Sequence, residues 1–146
     1  MPHHKQSPEV RKKVELLKNE LKTILDLSSA YQKKYRSLKK KDDIIDFGNS
    51  VLTGTAIICI VVGFANPIAL ISAGVLNGVA FVANRAQAQW NLKHRYNTHR
   101  TTWEQYSSLA REITTVLHKN NLTSEQYGDY LEEVYAKISL IQDSQL

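Results

Sequence analysis

Cysteine is nearly absent from this chain of 146 residues, with Cys59 the single example. One cysteine excludes a disulfide within the chain and a cysteine zinc centre, and reads most simply as a small apolar residue. Proline and glycine are missing from the whole stretch between Glu9 and Phe47, so nothing there punctuates a helix. Charge is missing from another stretch: no Asp, Glu, Lys or Arg lies between Asp46 and Arg85, although the chain outside it is dense in them. There is no glycine-rich phosphate loop, no HExxH and no nucleophile elbow, the motifs that would announce nucleotide, zinc or acyl-transfer chemistry. These absences point away from an enzyme and away from any cofactor. The N-terminal "MPHHKQSPEVRKK" lacks the apolar core of a signal peptide, so any route into a membrane must start from the internal apolar block.

That block is the strongest positive signal. Ile44 to Phe64 is about 21 residues, roughly 31 Å as a helix, and Pro67 to Asn84 is about 18, roughly 27 Å. A bilayer core of about 30 Å needs about 20 apolar residues, with 17 sufficient. Asn66 and Pro67 suit a turn between the two segments, which are then antiparallel neighbours. A soluble hairpin buried on all sides is the competing reading, but the remaining three helices are barely enough to wrap two fully apolar ones. Basic residues crowd both outer ends, Lys39, Lys40 and Lys41 before the block and Arg85, Lys93 and Arg95 after it, while the inner loop has none. The positive-inside rule then places both termini in the cytoplasm of an integral membrane protein. Neither segment carries an ionisable group past Asp46, which argues against a proton relay. Gly74 and Gly78, with Asn77 beside them, and Gly54 in the first segment are small residues at which membrane helices pack closely. The broader reading is packing inside the hairpin. The sharper one is that Thr53, Thr55 and Asn77 line a polar path between copies.

The flanking segments have narrow helical seams. Ser7, Pro8 and Glu9 look like a helix start, after a loose tail over residues 1–7. Apolar positions then fall at Val10, Val14, Leu17, Leu21, Ile24, Tyr31, Tyr35 and Leu38, a heptad rhythm broken only by Ser28. This predicts an amphipathic helix over 8–43, followed by the hairpin over 44–84. A long helix over 85–119 continues the second span with a stripe of Trp90, Tyr96, Trp103, Tyr106, Leu109, Ala110, Ile113, Val116 and Leu117. Asn120 and Asn121 suit its end. Thr123 with Gln126 forms a capping box for a short last helix over 122–143, whose seam is Tyr127, Leu131, Val134, Ile138 and Ile141. The fold class is all-α, with Leu17, Leu21, Trp103, Tyr106, Leu109 and Ile113 expected in the seam of a cytoplasmic bundle. Lys33, Lys34, Arg36, Lys39, Lys40 and Lys41 precede the block, where anionic headgroups attract basic residues by roughly 1 kcal/mol each. Nucleic acid is the weaker partner, because such residues alone give a non-specific term.

Histidine offers no clear metal site. His3 and His4 have no partner ligands nearby. His94 and His99 are five apart, about 500° of helix rotation, against the spacing of four that a two-histidine site wants. His118 reads as packing or capping. "NLT" at Asn121 is a glycosylation sequon that a cytoplasmic position would keep from use.

The segment "NRAQAQWNLKHRYNTHRTTWEQYSSLAREITTVL", with His99, Tyr106, Leu109 and Ile113, and the following "LTSEQYGDYLEEVYAKISLIQDS" resemble the SLATT superfamily of small two-span proteins. The resemblance extends over roughly residues 10 to 143, mostly as architecture. It implies a homo-oligomer that forms pores or perturbs membranes in conflict systems, restrained by linked sensors of nucleotide signals. No such sensor fits within this sequence, which leaves the trigger to a separate regulatory protein, a ligand, or neither. The alternative expectation is a structural membrane scaffold that binds a partner, such as a viral or membrane-associated complex, through its cytoplasmic helices.

Overall fold

The computed structural model describes residues 7–63, 66–119 and 122–144, and every described element is α-helical. The order is α1 (Pro8–Gly63), α2 (Pro67–Trp90), α3 (Leu92–His118) and α4 (Ser124–Asp143). The expectations for His3, His4, Phe64, Asn120 and Asn121 lie outside the described residues.

Local chemistry sets the ends. Ser7 Oγ accepts from the Val10 amide at 3.3 Å, and Pro8 follows at the first helical position, where its missing N–H is harmless. Asn66 is extended and its side chain accepts from the Ile68 amide at 3.0 Å, which starts α2 behind Pro67. The capping box of α4 is present as expected: Gln126 N donates to Thr123 Oγ1 at 3.3 Å, and Thr123 N donates to Gln126 Oε1 at 2.9 Å.

One boundary differs from expectation. α1 runs unbroken through residues 43 and 44, where the amphipathic segment gives way to the apolar one; the lone glycines Gly48 and Gly54 weaken a helix without ending it. The helix expected to continue past residue 84 is interrupted at Asn91, the one described non-glycine residue with positive φ (48°). Its amide bonds back to the Ala88 carbonyl. Asn tolerates the left-handed conformation because its short amide can bond locally, so one residue bends the run into α2 and α3. The break also shifts the stripe: Trp90 stands 58 % exposed, while Leu92, which the extrapolated stripe omits, is buried.

The chain divides into two compact units. The first takes the described residues up to Lys33 and those from Thr98 on. Here α1, α3 and α4 enclose a core of Leu17, Ile24, Tyr106, Leu109, Ile113 and Val134, with Leu131, Ala110 and Ile141 beside them. Leu21 is partly buried against that core, and Trp103 is half-buried. The heptad seam is therefore the buried face, and the off-seam Leu16 and Leu25 are exposed. Ser28, the polar interruption, faces Ser107 with their hydroxyls 2.9 Å apart, so a buried polar group finds its partner. The second unit, Lys34–Asn97, is the hairpin.

Candidate functional site

In the hairpin, the second half of α1 and α2 run antiparallel in one register. The facing pairs Asp46–Gln87, Asn49–Asn84 and Gly63–Leu70 have residue numbers that add to the same value. Small residues form the inner seam: Ala56, Ala73 and Ala80 are buried, and Gly63 sits so close to Leu70 that a Cβ would come within 2.7 Å of its Cδ1 and 3.2 Å of its amide nitrogen. Alanine lets the backbones approach without the conformational entropy that glycine loses.

One end of this seam is polar. Asp42 is buried at 2 % exposure, and its Oδ1 accepts from Gln87 Nε2 at 2.5 Å. The same amide nitrogen donates to Asp46 Oδ1 at 2.9 Å, and Lys93 Nζ lies 3.9 Å from Asp46 Oδ2. Asn49 Nδ2 donates to Asn84 Oδ1 at 2.7 Å. Asp42, Asp46 and Asn49 are spaced by four and three, which keeps them on one side of α1. Each buried group is satisfied across the hairpin, and a buried amide without its partner would forgo about 1–3 kcal/mol. This ladder fixes which faces turn inward. Sequence reading missed it, although Asn49 and Asn84 stand nearly equidistant from the turn at Asn66, which was the available signal.

The ladder also decides the fate of the expected packing residues. Gly54, Gly74, Asn77 and Gly78 are all exposed, and a Cβ at any of the three glycines would meet nothing within 4 Å. They do not pack inside the hairpin, because the alanine seam already occupies that contact. Thr53 and Thr55 are exposed too, and Thr55 Oγ1 donates to the Val51 carbonyl of its own helix at 2.9 Å. The basic residues Lys33, Lys34, Arg36, Lys39, Lys40 and Lys41 all project from α1 as exposed side chains.

The outer faces are apolar. Fifteen large apolar side chains between Ile44 and Val82 are exposed among the described residues, with Ile68, Ile71 and Phe47 the most open. The chain has two helices long and apolar enough to cross a membrane, and only 11 % of the most apolar window of each is buried. No protein-family model, curated protein or solved structure matches the chain. The geometry alone then supports any reading of its role.

In the bundle, residues with unusual surroundings are explained by packing. Tyr106 stacks on Tyr31 with centroids 5.9 Å apart, and burial, then Tyr31, pushes its hydroxyl pKa up. His99 lies against Tyr31 at 5.7 Å. Burial first, and the nearby Glu112 next, raise Tyr130, whose hydroxyl has no partner among the described residues. Tyr135 is raised mainly by burial and then by Glu20, to which it donates at 3.3 Å. Lys137 bonds Glu112 at 2.6 Å and Glu133 at 2.9 Å, and those bonds raise its pKa. His118 Nδ1 lies 2.7 Å from the Thr114 carbonyl. Among the described residues, no three His, Cys, Asp or Glu side chains gather as metal ligands.

Proposed function

We propose that the chain is a two-span membrane protein that assembles with copies of itself and acts on bilayer integrity. One observation carries this reading: the hairpin leaves its apolar side chains exposed on every face except a narrow alanine seam. A large aliphatic side chain left half in water forgoes roughly 1 kcal/mol. Fifteen of them forgo about as much as the whole stability of a domain, about 5–15 kcal/mol. Lipid removes that deficit, and a soluble adaptor with a buried hairpin is disfavoured on the same ground. The basic flanks support both termini lying in the cytoplasm.

Self-assembly is supported by the outward face of α2. Gly74 and Gly78 leave it flat, and the amide of Asn77 bonds to no described residue. An unpaired amide in hydrocarbon is unfavourable by several kcal/mol, and a second copy offers both the close approach and the partner. In a pore-forming effector, the role that the SLATT resemblance implies, Thr53, Thr55 and Asn77 are polar residues of the spans available to line a path between protomers.

Dye release from liposomes that contain the purified protein tests the activity. Correctly inserted protein in tight vesicles would defeat it. Gly78→Leu, followed by cross-linking in detergent, tests the assembly. Loss of oligomer with intact monomer is expected, and unchanged oligomer would remove this face from the interface. A scaffold role is favoured by the exposure of Leu16, Leu25 and Leu140 on the bundle; a stoichiometric partner co-purifying with tight vesicles would select it.

A further inference from the structure

Beside the polar ladder, at the edge of the uncharged run, the hairpin unit holds a cleft of about 570 Å³. That volume lies within the ordinary range of small-ligand sites. Two cations from different helices reach it, Lys41 of α1 and Arg95 of α3. Neither side chain makes an ion pair or hydrogen bond with any described residue. No carboxylate lines the cleft among the described residues, and Asp42 and Asp46 on the adjoining turns of α1 are engaged with Gln87 and Lys93. The rest of the lining is hydrocarbon and indole, from Leu38, Ile44, Ile45, Leu92 and Trp90. Leu92 is buried as the floor, and Trp90 stands exposed at the rim.

We infer that this cleft binds one anionic phospholipid, with Lys41 and Arg95 on its phosphate and the first methylenes of an acyl chain along Ile44, Ile45 and Trp90. The ligand must join one anion to one apolar chain, since the lining offers both and little else. A lysine gives a mobile point charge and an arginine a planar fork, a pair suited to phosphate oxygens. Trp90 fits the headgroup level, where indole rings keep one end wet. Two cations exceed the charge of one phosphodiester, so a headgroup with net negative charge is favoured over one carrying choline. This site shares Lys41 with the basic run ahead of the hairpin and differs from the rest of that run in adding Arg95, far away in sequence, and an apolar lining. The inference rests on the membrane reading proposed above.

The test uses the full chain with Trp103→Phe, which leaves Trp90 as the only tryptophan, in vesicles of phosphatidylcholine with added phosphatidylglycerol. Bromination of one lipid or the other reports which lies against Trp90. The brominated phosphatidylglycerol should quench at a roughly thirtyfold lower mole fraction, since each basic group near an anionic leaflet contributes about fivefold. Lys41→Ala with Arg95→Ala should abolish that preference while the protein still floats with the vesicles. Lys39→Ala with Lys40→Ala removes the same charge and should leave most of it. Equal quenching by both lipids, or equal loss in the two double variants, would overturn the site while leaving insertion intact. Reversal by millimolar inorganic phosphate would assign the pair to a free ion and overturn the lipid. Failure of the unsubstituted chain to float with vesicles would overturn the membrane reading and this inference together.

Discussion

The bundle and the hairpin are built from the same helical material and treat water in opposite ways. In the bundle a seam of spacing four and three is buried, and its neighbours one position away are exposed: Leu17 is 0 % accessible and Leu16 is 43 %. In the hairpin the buried seam is alanine, and the bulky residues face out, with Ile71 at 69 %. A soluble helix hides large residues and shows small or polar ones. The hairpin does the reverse, which is the arrangement expected when the surrounding medium is hydrocarbon and close backbone approach drives helix contact.

The largest test exchanges the hairpin's preference. Ile57→Lys with Val75→Lys places charges on two exposed faces near the middle of the apolar segments. Each lysine at a bilayer centre is unfavourable by about 2.5–3.5 kcal/mol. We expect the unsubstituted chain to stay in the alkaline-carbonate pellet and the double variant to leave it. If the hairpin instead faces water, the same change would raise solubility and leave the fold intact.

The next test addresses the bundle. Leu17→Asp puts an unpaired carboxylate in a closed core and should destabilise it by at least about 3 kcal/mol. Leu16→Asp, next along the helix, should stay within about 0.5 kcal/mol. Limited proteolysis and thermal melts in detergent separate the two, and equal effects would mean the seam is solvated.

A smaller effect probes the hairpin's register. Asn49→Leu or Asn84→Leu alone strands one amide and should lower stability by about 1–3 kcal/mol. The double change removes both partners and should recover much of that loss. Additive losses would show that the two amides are uncoupled.

The smallest concerns pH. Lys137 gains its raised pKa from Glu112 and Glu133. Its contribution is present below the ordinary lysine pKa of about 10.4 and fades only as pH rises through the higher folded value. With all three side chains substantially exposed, the contribution should be under about 1 kcal/mol. Lys137→Met should therefore leave the melting temperature near pH 7 almost unchanged and flatten its decline above pH 10. A large loss at pH 7 would contradict this.

Much of the fold was legible because periodicity and caps are local. The seam from Val10 to Leu38 has no exposed member, and the Ser7 and Thr123 caps both form. Two features escaped for physical reasons. Asn91 in a left-handed conformation has no signature separating it from the other helix-compatible asparagines nearby, so the phase of Trp90 was misjudged. Residue type alone marks Gly74 and Gly78 as close-packing positions, whereas the inward face is chosen by pairs across the hairpin, Asn49 with Asn84 above all.

The bundle's contacts also carry a schedule. Ser28 meets Ser107, Lys13 bonds the Ser124 carbonyl at 2.8 Å, and Tyr135 reaches Glu20, each joining residues far apart in the chain. During synthesis the N-terminal seam emerges first, and the stretch between Lys33 and Thr98 then takes roughly 3–13 s to follow at 5–20 residues per second. The hairpin closes through a far shorter loop within that interval. Until α3 and α4 arrive, the heptad seam of α1 has no partner in its own chain, so its apolar face stays open until the residues from Thr98 on are made.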